Sequence, residues 1–408
     1  MTANVAGYLL QLLAGRWLGV GGYSEFASLL AVQLLCAVPA LALQNVVARE
    51  LVRGAGVAAL RGLQWRCAAI VAVAAVVLVP VVTVLLNVGV AAAAAALGAA
   101  PALVLLSGEQ GILQGGRRFR ALAVVLGAAG IARVVPALAV LALGGGAAGA
   151  LWAAAFGIAV AAAFARFVAG SPLSRVRSAE AGIVAGSRST GAEIVAGSRV
   201  RSAGAEIGAV AGVLPVLRAA QAQAALMALS SADLIVARIV LDEVDASRYA
   251  LGAIAAKIAF WLPQAVGVVL YPRMAQPSHS SRAVKEALAV LSGIGILAVA
   301  VAALAAPIAP ILAGQDYAPI QGLLWLFALH GAVLAVLQGA LLSAIAADRT
   351  ALAAATWLGL AVEVTAMVTL AHSVPALITT AVCVASATTL LVAAVVLHTA
   401  DRGQRPRS

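Results

Sequence analysis

The chain has 408 residues, 64% hydrophobic and 10% charged, with a formal net charge of +11 and a mean hydropathy of +1.07. Soluble domains run at about 45–50% apolar and about 25% charged residues, so water cannot be the solvent for this surface. The composition predicts an all-α polytopic membrane protein, and at roughly 20 residues per helical span it leaves no room for a separate soluble catalytic domain.

Apolar runs broken by polar stretches place spans near 3–19, 25–47, 67–88, 91–113, 121–143, 147–168, 210–240, 248–270, 287–307, 319–346, 350–371 and 374–398. The first segment, Met1–Leu18, lacks a basic leader and a small-residue cleavage site, and reads as a span rather than a removed signal. Together the runs make about 12 transmembrane helices. The expected divisions are a six-helix lobe over 1–168, a Ser/Gly/Arg-rich linker over 169–209, a second six-helix lobe over 210–398 and a basic tail over 399–408. Within the linker, AGIVAGSR (181–188) is nearly repeated by AEIVAGSR (192–199). Cys36, Cys67 and Cys383 lie inside apolar runs without metal-ligand spacing and read as small buried hydrophobes.

Loops placed from hydropathy alone divide the charge. One side collects Arg49, Arg53, Arg61 and Arg66, then Arg117, Arg118 and Arg120, then the arginines of the linker, the Arg273–Lys285 stretch and the tail. The other holds only Arg16 and Arg248, beside Asp242, Glu243, Asp245 and Asp316. Positive charge marks the cytoplasmic side, so both termini are expected there, in a multi-pass protein of the cell membrane. The basic balance thus reads as topology, and no nucleic-acid partner is expected.

The halves also echo each other. Pro39 precedes Arg49 by ten residues, and Pro263 precedes Arg273 by ten, in matching positions of the two lobes. Because each half begins on the same side, the repeat is expected to be parallel, about an axis along the membrane normal, which is a transporter architecture. No GxxxxGK[ST], HExxH or GxSxG signature is present, and the outer loops are short, so an enzyme is not expected.

Several stretches resemble a known family: GRWLGVGGYSEFASL (15–29) with PALALQNVVARE (39–50), LQGGRRFRALA (113–123) and SADLIVARIVLDEVDASRYALGAIAAKIAFWLPQAVGVVLYPRM (231–274). They are similar to the polysaccharide-biosynthesis (O-antigen-type) flippases of the multidrug/oligosaccharidyl-lipid/polysaccharide exporter superfamily. The resemblance implies two six-helix lobes around a central cavity that opens to one side at a time. Its implied cargo is a polyprenyl-diphosphate-linked oligosaccharide moved from the inner to the outer leaflet, with membrane lipids and glycan-assembly machinery as partners. The chain departs from many members in ending after twelve spans, and from lipid II flippases in having Arg16 as the one arginine of its first span. A glycan other than the peptidoglycan precursor is therefore expected.

A charge kept near the bilayer centre normally faces a cavity or a partner. Arg133 in span five and Lys257 in span eight are expected to clasp the diphosphate, one from each lobe. Pairing of either with Glu363 or Glu109 to fasten helices is the competing reading. Arg218, Arg16 and Arg238 are further candidate cavity cations, although Arg218 also reads as snorkelling to headgroups. Uphill export needs coupling to a proton or Na+ gradient, for which Glu363, Glu109, Asp233 and His330 are the candidate carriers or gates; no other cofactor is expected. Arg117, Arg118 and Arg120 form an inner basic cluster that either holds an anionic lipid or an incoming diphosphate, or sets topology alone. Export of drugs or small metabolites by the same fold is the alternative function. It predicts acidic, aromatic cavity walls, whereas aromatics make up only 4% of the chain.

Overall fold

The computed structural model describes residues 2–170, 213–262, 280–346 and 352–402. Nearly all of the linker and most of the tail expected from the sequence lie outside the described residues, as do Pro263 and Arg273. The described residues contain helices and turns and no strand.

The first half comprises α1 (Thr2–Cys36), α2 (Val38–Val52), α3 (Val57–Leu86), α4 (Val90–Gly115), α5 (Phe119–Ala142) and α6 (Ala147–Gly170). The second half comprises α7 (Val213–Val240), α8 (Glu243–Trp261), α9 (Ser280–Ala305), the short α10 (Ala309–Ala313) flanked by 3₁₀ turns, α11 (Leu324–Ala346), α12 (Leu352–Leu370) and α13 (Val374–Arg402). The loop expected between the first two spans is compressed to a single residue. Gly19 has φ 65° and ψ −176°, a conformation essentially reserved for glycine, and it joins two helical arms. The first arm passes α8 at Tyr8 and Tyr317 at Gly15. The second passes Gly89 at Glu25 and Arg133 at Gln33, so the chain reverses at Gly19 and α1 makes two crossings. Pro39, in the first turn of α2, starts a new helix after the break at Ala37, since proline suits the first helical positions.

Eight described stretches are long and apolar enough to cross a membrane by length and composition. One of them, Gly7–Val52, holds two crossings, while α7, α8 and α12 miss the criterion and still pack as members of the bundle. The packing repeats between halves. In the first, α4 packs on α2, α3 and α6, α5 packs on α6, and α1 packs on α5. In the second, α11 packs on α8, α9 and α13, α12 packs on α13, and α7 packs on α12. Each pair in one list is its counterpart six spans along, which is a two-lobe fold built on a parallel repeat. Small residues permit the closest crossings: a Cβ on Gly157 would lie 1.7 Å from the Ala132 carbonyl oxygen, and one on Gly331 1.9 Å from that of Ala256. The lobes meet where α1 packs on α7 and α8, and α2 and α3 on α7.

Candidate functional site

Between the lobes lies a cavity of about 320 Å³. Its walls come from both arms of α1 (Tyr8, Gln11, Ala27, Leu30), from α4, α5 and α6, and from Leu234, Lys257 and Trp261 of the second lobe. Most of the lining is aliphatic. Its two cationic side chains are Arg133 and Lys257, one from each lobe.

Neither takes up the helix-fastening ion pair with Glu363 or Glu109 considered above. Arg133 donates through Nη2 to Gln33 Oε1 at 3.0 Å. Lys257 donates from Nζ to the Ser230 carbonyl and, at 3.0 Å, to Ser231 Oγ. An ammonium carries three donors and a guanidinium five, so each has donors left over for a ligand. The anchors are local: Gln33 and Arg133 belong to the first lobe, Ser230, Ser231 and Lys257 to the second. One hydrogen bond crosses beside them, from Tyr8 Oη to the Lys257 carbonyl at 3.2 Å.

The other cations expected in the cavity are elsewhere. Arg16 is exposed on the first arm of α1 and does not line it. Arg218 falls on α7, but its side chain lies outside the described residues. Arg238 sits at the end of the bundle that carries the α3–α4 turn. There its Nε donates to the Leu86 carbonyl at 3.0 Å and its Nη2 to the Asn87 carbonyl at 3.1 Å, while Nη1 reaches Ser24 Oγ and lies 3.7 Å from Glu243. The last carbonyls of α3 have no intrahelical partner, and a cation complements the negative end of a helix. Arg238 therefore caps a first-lobe helix from the second lobe and closes the inter-lobe seam at that end. Ser247 Oγ, bonded to the Val20 carbonyl, and Tyr317 Oη, 3.4 Å from the Gly15 carbonyl, reinforce the closure. Replacing Arg238→Ala removes charged hydrogen bonds worth about 1.5–3 kcal/mol each. Amide hydrogens over residues 84–92 are expected to exchange several-fold faster in that variant. Unchanged exchange would show that the seam closes without it.

The candidate acids divide by lobe. Glu109, expected as an ion carrier, is held by Arg61 in a two-pronged pair at 2.9 and 3.0 Å, with Arg166 at 3.7 Å. The carboxylate is 2% exposed and already neutralised, which fits fastening of α3, α4 and α6 rather than ion transfer. Asp233, His330 and Glu363, in contrast, gather in the second lobe. Asp233, on α7, accepts from Tyr249 Oη at 3.0 Å, and His330 Nδ1 of α11 lies 3.7 Å from the same oxygen. Glu363, on α12, is fully buried, and neither of its carboxyl oxygens has a hydrogen-bond partner. Among the described residues no group of three or more His, Cys, Asp and Glu side chains is arranged to hold a metal ion, so the three are candidates for proton transfer. Tyr249, Gln33 and Ser231 are not among the candidates read from the sequence, because an uncharged polar side chain in an apolar helix does not stand out as a charge does.

The basic cluster after α4 is split by its backbone. Arg117 and Arg120 are exposed. Arg118 turns inward and donates to the carbonyls of Val168 at 2.8 Å and Ala169 at 3.1 Å, capping the end of α6.

No protein-family profile matches the chain, and no curated protein sequence does. Solved structures do match. An inward-facing multidrug resistance MATE family transporter of the MOP superfamily aligns over 98% of this chain and 96% of its own, with a TM-score of 0.64 at 14% identity. The chain has a MATE-type fold. A MOP superfamily transporter from Pyrococcus furiosus, described as having a binding pocket of reverse polarity, aligns over 99% and 94% with a TM-score of 0.54 at 14% identity. The eukaryotic MATE transporter AtDTX14 aligns over 98% and 94% with a TM-score of 0.55 at 16% identity. The MATE-type fold accounts for the two lobes and for a cavity at their interface.

Proposed function

We propose that the chain is an alternating-access flippase that moves a polyprenyl-diphosphate-linked oligosaccharide across the cell membrane from the inner to the outer leaflet. One observation carries the reading: two basic side chains, one from each lobe, line the same inter-lobe cavity with donors to spare. A diphosphate is a strong anion that cannot cross hydrocarbon without such partners, and a clasp made by two lobes loosens when they rock apart. The closure at Arg238 fits a state sealed on the side expected to be external, with both termini cytoplasmic.

The test is to delete the gene and measure polyprenyl-diphosphate-linked glycans by mass spectrometry of the lipid extract. One complete lipid-linked glycan should accumulate and disappear when the intact protein is re-expressed. An unaltered pool favours the second reading, an ion-coupled exporter of drugs or small metabolites, which the buried Asp233–His330 contact and the unpartnered Glu363 support. Coupling to protons or Na+ through that cluster fits either cargo.

A further inference from the structure

We propose that Gln33 is a positioning residue that holds Arg133 at the cavity wall without cancelling its charge, and thereby sets the cavity's preference for anions. The inference rests on the reading of the cavity as an anion site and adds a determinant of its selectivity.

The same lobe shows two treatments of an arginine. Arg61 is matched by a carboxylate, with two short bonds to Glu109 and a second arginine nearby. Its charge is spent inside the lobe. Arg133 is matched by a neutral amide: Gln33 Oε1 accepts one N–H at 3.0 Å, and no described Asp or Glu pairs with it. A carbonyl acceptor fixes the direction of a guanidinium yet leaves its full positive charge for another anion. Gln33 is itself 2% exposed, and its Nε2 has no partner. An unpaired donor at that depth costs stability, so for packing alone a hydrophobic residue would serve better, in keeping with the Leu, Ala and Val that surround it in LLAVQLL (29–35). The amide links the second arm of α1 to α5, so Arg133 keeps its place relative to its own lobe as the lobes move.

The deciding comparison is Gln33→Glu against Gln33→Ala. If Gln33 only fastens α1 to α5, a carboxylate in its place bonds Arg133 more strongly and is the milder change. If it preserves charge, the carboxylate neutralises Arg133 and is the more damaging change for an anionic ligand. The experiment measures equilibrium binding of farnesyl diphosphate, with farnesol as the uncharged control, to the full chain in lipid nanodiscs. Protein yield and thermal melting are recorded for every variant, and Arg133→Ala is included.

The expected result is a loss of diphosphate binding of roughly tenfold in Gln33→Glu, a smaller loss in Gln33→Ala, and farnesol binding unchanged in both. Gln33→Glu binding the diphosphate as well as Gln33→Ala or better, while Arg133→Ala still loses it, overturns the role of Gln33 and leaves the anion site standing. Arg133→Ala binding normally overturns the anion site, and the inference falls with it. A Gln33→Glu protein that melts no lower than the intact chain yet loses the diphosphate is the signature that a purely structural role does not produce.

Discussion

Replacing Arg133→Ala or Lys257→Ala is expected to reduce flipping of a fluorescent polyprenyl-diphosphate sugar in reconstituted vesicles by tenfold or more each. Charged hydrogen bonds contribute about 1.5–3 kcal/mol, and a factor of ten corresponds to about 1.4 kcal/mol. Because the two cations sit in different lobes and would grip one diphosphate, their losses should be coupled rather than additive, and the double variant measures that coupling. Lys257 needs a second control, since its ammonium also ties α8 to α7 through Ser230 and Ser231. Lys257→Arg keeps charge and donors, so it should retain most activity if charge is what matters. Arg133→Lys should do worse, because an ammonium cannot offer the forked, two-oxygen contact of a guanidinium to phosphate. Normal flipping by both alanine variants, at normal protein levels, would remove the diphosphate clasp from consideration.

Much of this arrangement is legible in the sequence because the membrane makes charge conspicuous. Arg133, Lys257 and Glu363 stand out as single charged residues within apolar runs, and the two cations do line one cavity. The two-lobe architecture is legible for a related reason: apolar runs count the spans, and a duplicated bundle leaves matching landmarks such as Pro39 and Pro263. Partnership across the fold is what the sequence withholds. Glu109 looks as available as Glu363, but 48 positions separate it in the chain from Arg61, the side chain that occupies it. Arg238 reads as a membrane cation and proves to cap α3, because only the fold brings Leu86 and Asn87 beside it. The turn at Gly19 is legible as the gap between the spans at 3–19 and 25–47, but its tightness is not, since one glycine of several in GRWLGVGGYSEF reverses the chain. Apolar runs locate α7 and α8 but not the way their polar residues are turned toward each other, as in the bond from Tyr249 to Asp233.

Glu363→Gln and Asp233→Asn are expected to abolish stimulation of transport by an imposed ion gradient while sparing exchange of substrate in its absence. An ionised carboxylate enclosed without donors is strongly penalised, and Glu363 is fully buried with both oxygens unpartnered, which makes it a candidate proton carrier. Asp233 has Tyr249 and His330 beside it, and Lys257 reaches the preceding turn of the same helix. Asp233 and the cavity cation Lys257 are thus joined through α7, the route by which a change of charge at Asp233 would reach the cavity. A gradient of one pH unit is worth about 1.4 kcal/mol per proton, or tenfold accumulation of a cargo coupled to one proton. Amide variants keep the shape of the site but can neither take up nor release the ion, so accumulation should fall to the level set by the substrate gradient alone. Imposing a pH gradient and a Na+ gradient in separate vesicle preparations identifies the ion. Stimulation that survives in both variants would place the coupling site elsewhere, and the buried cluster would then be read as a polar fastening of α7, α8, α11 and α12.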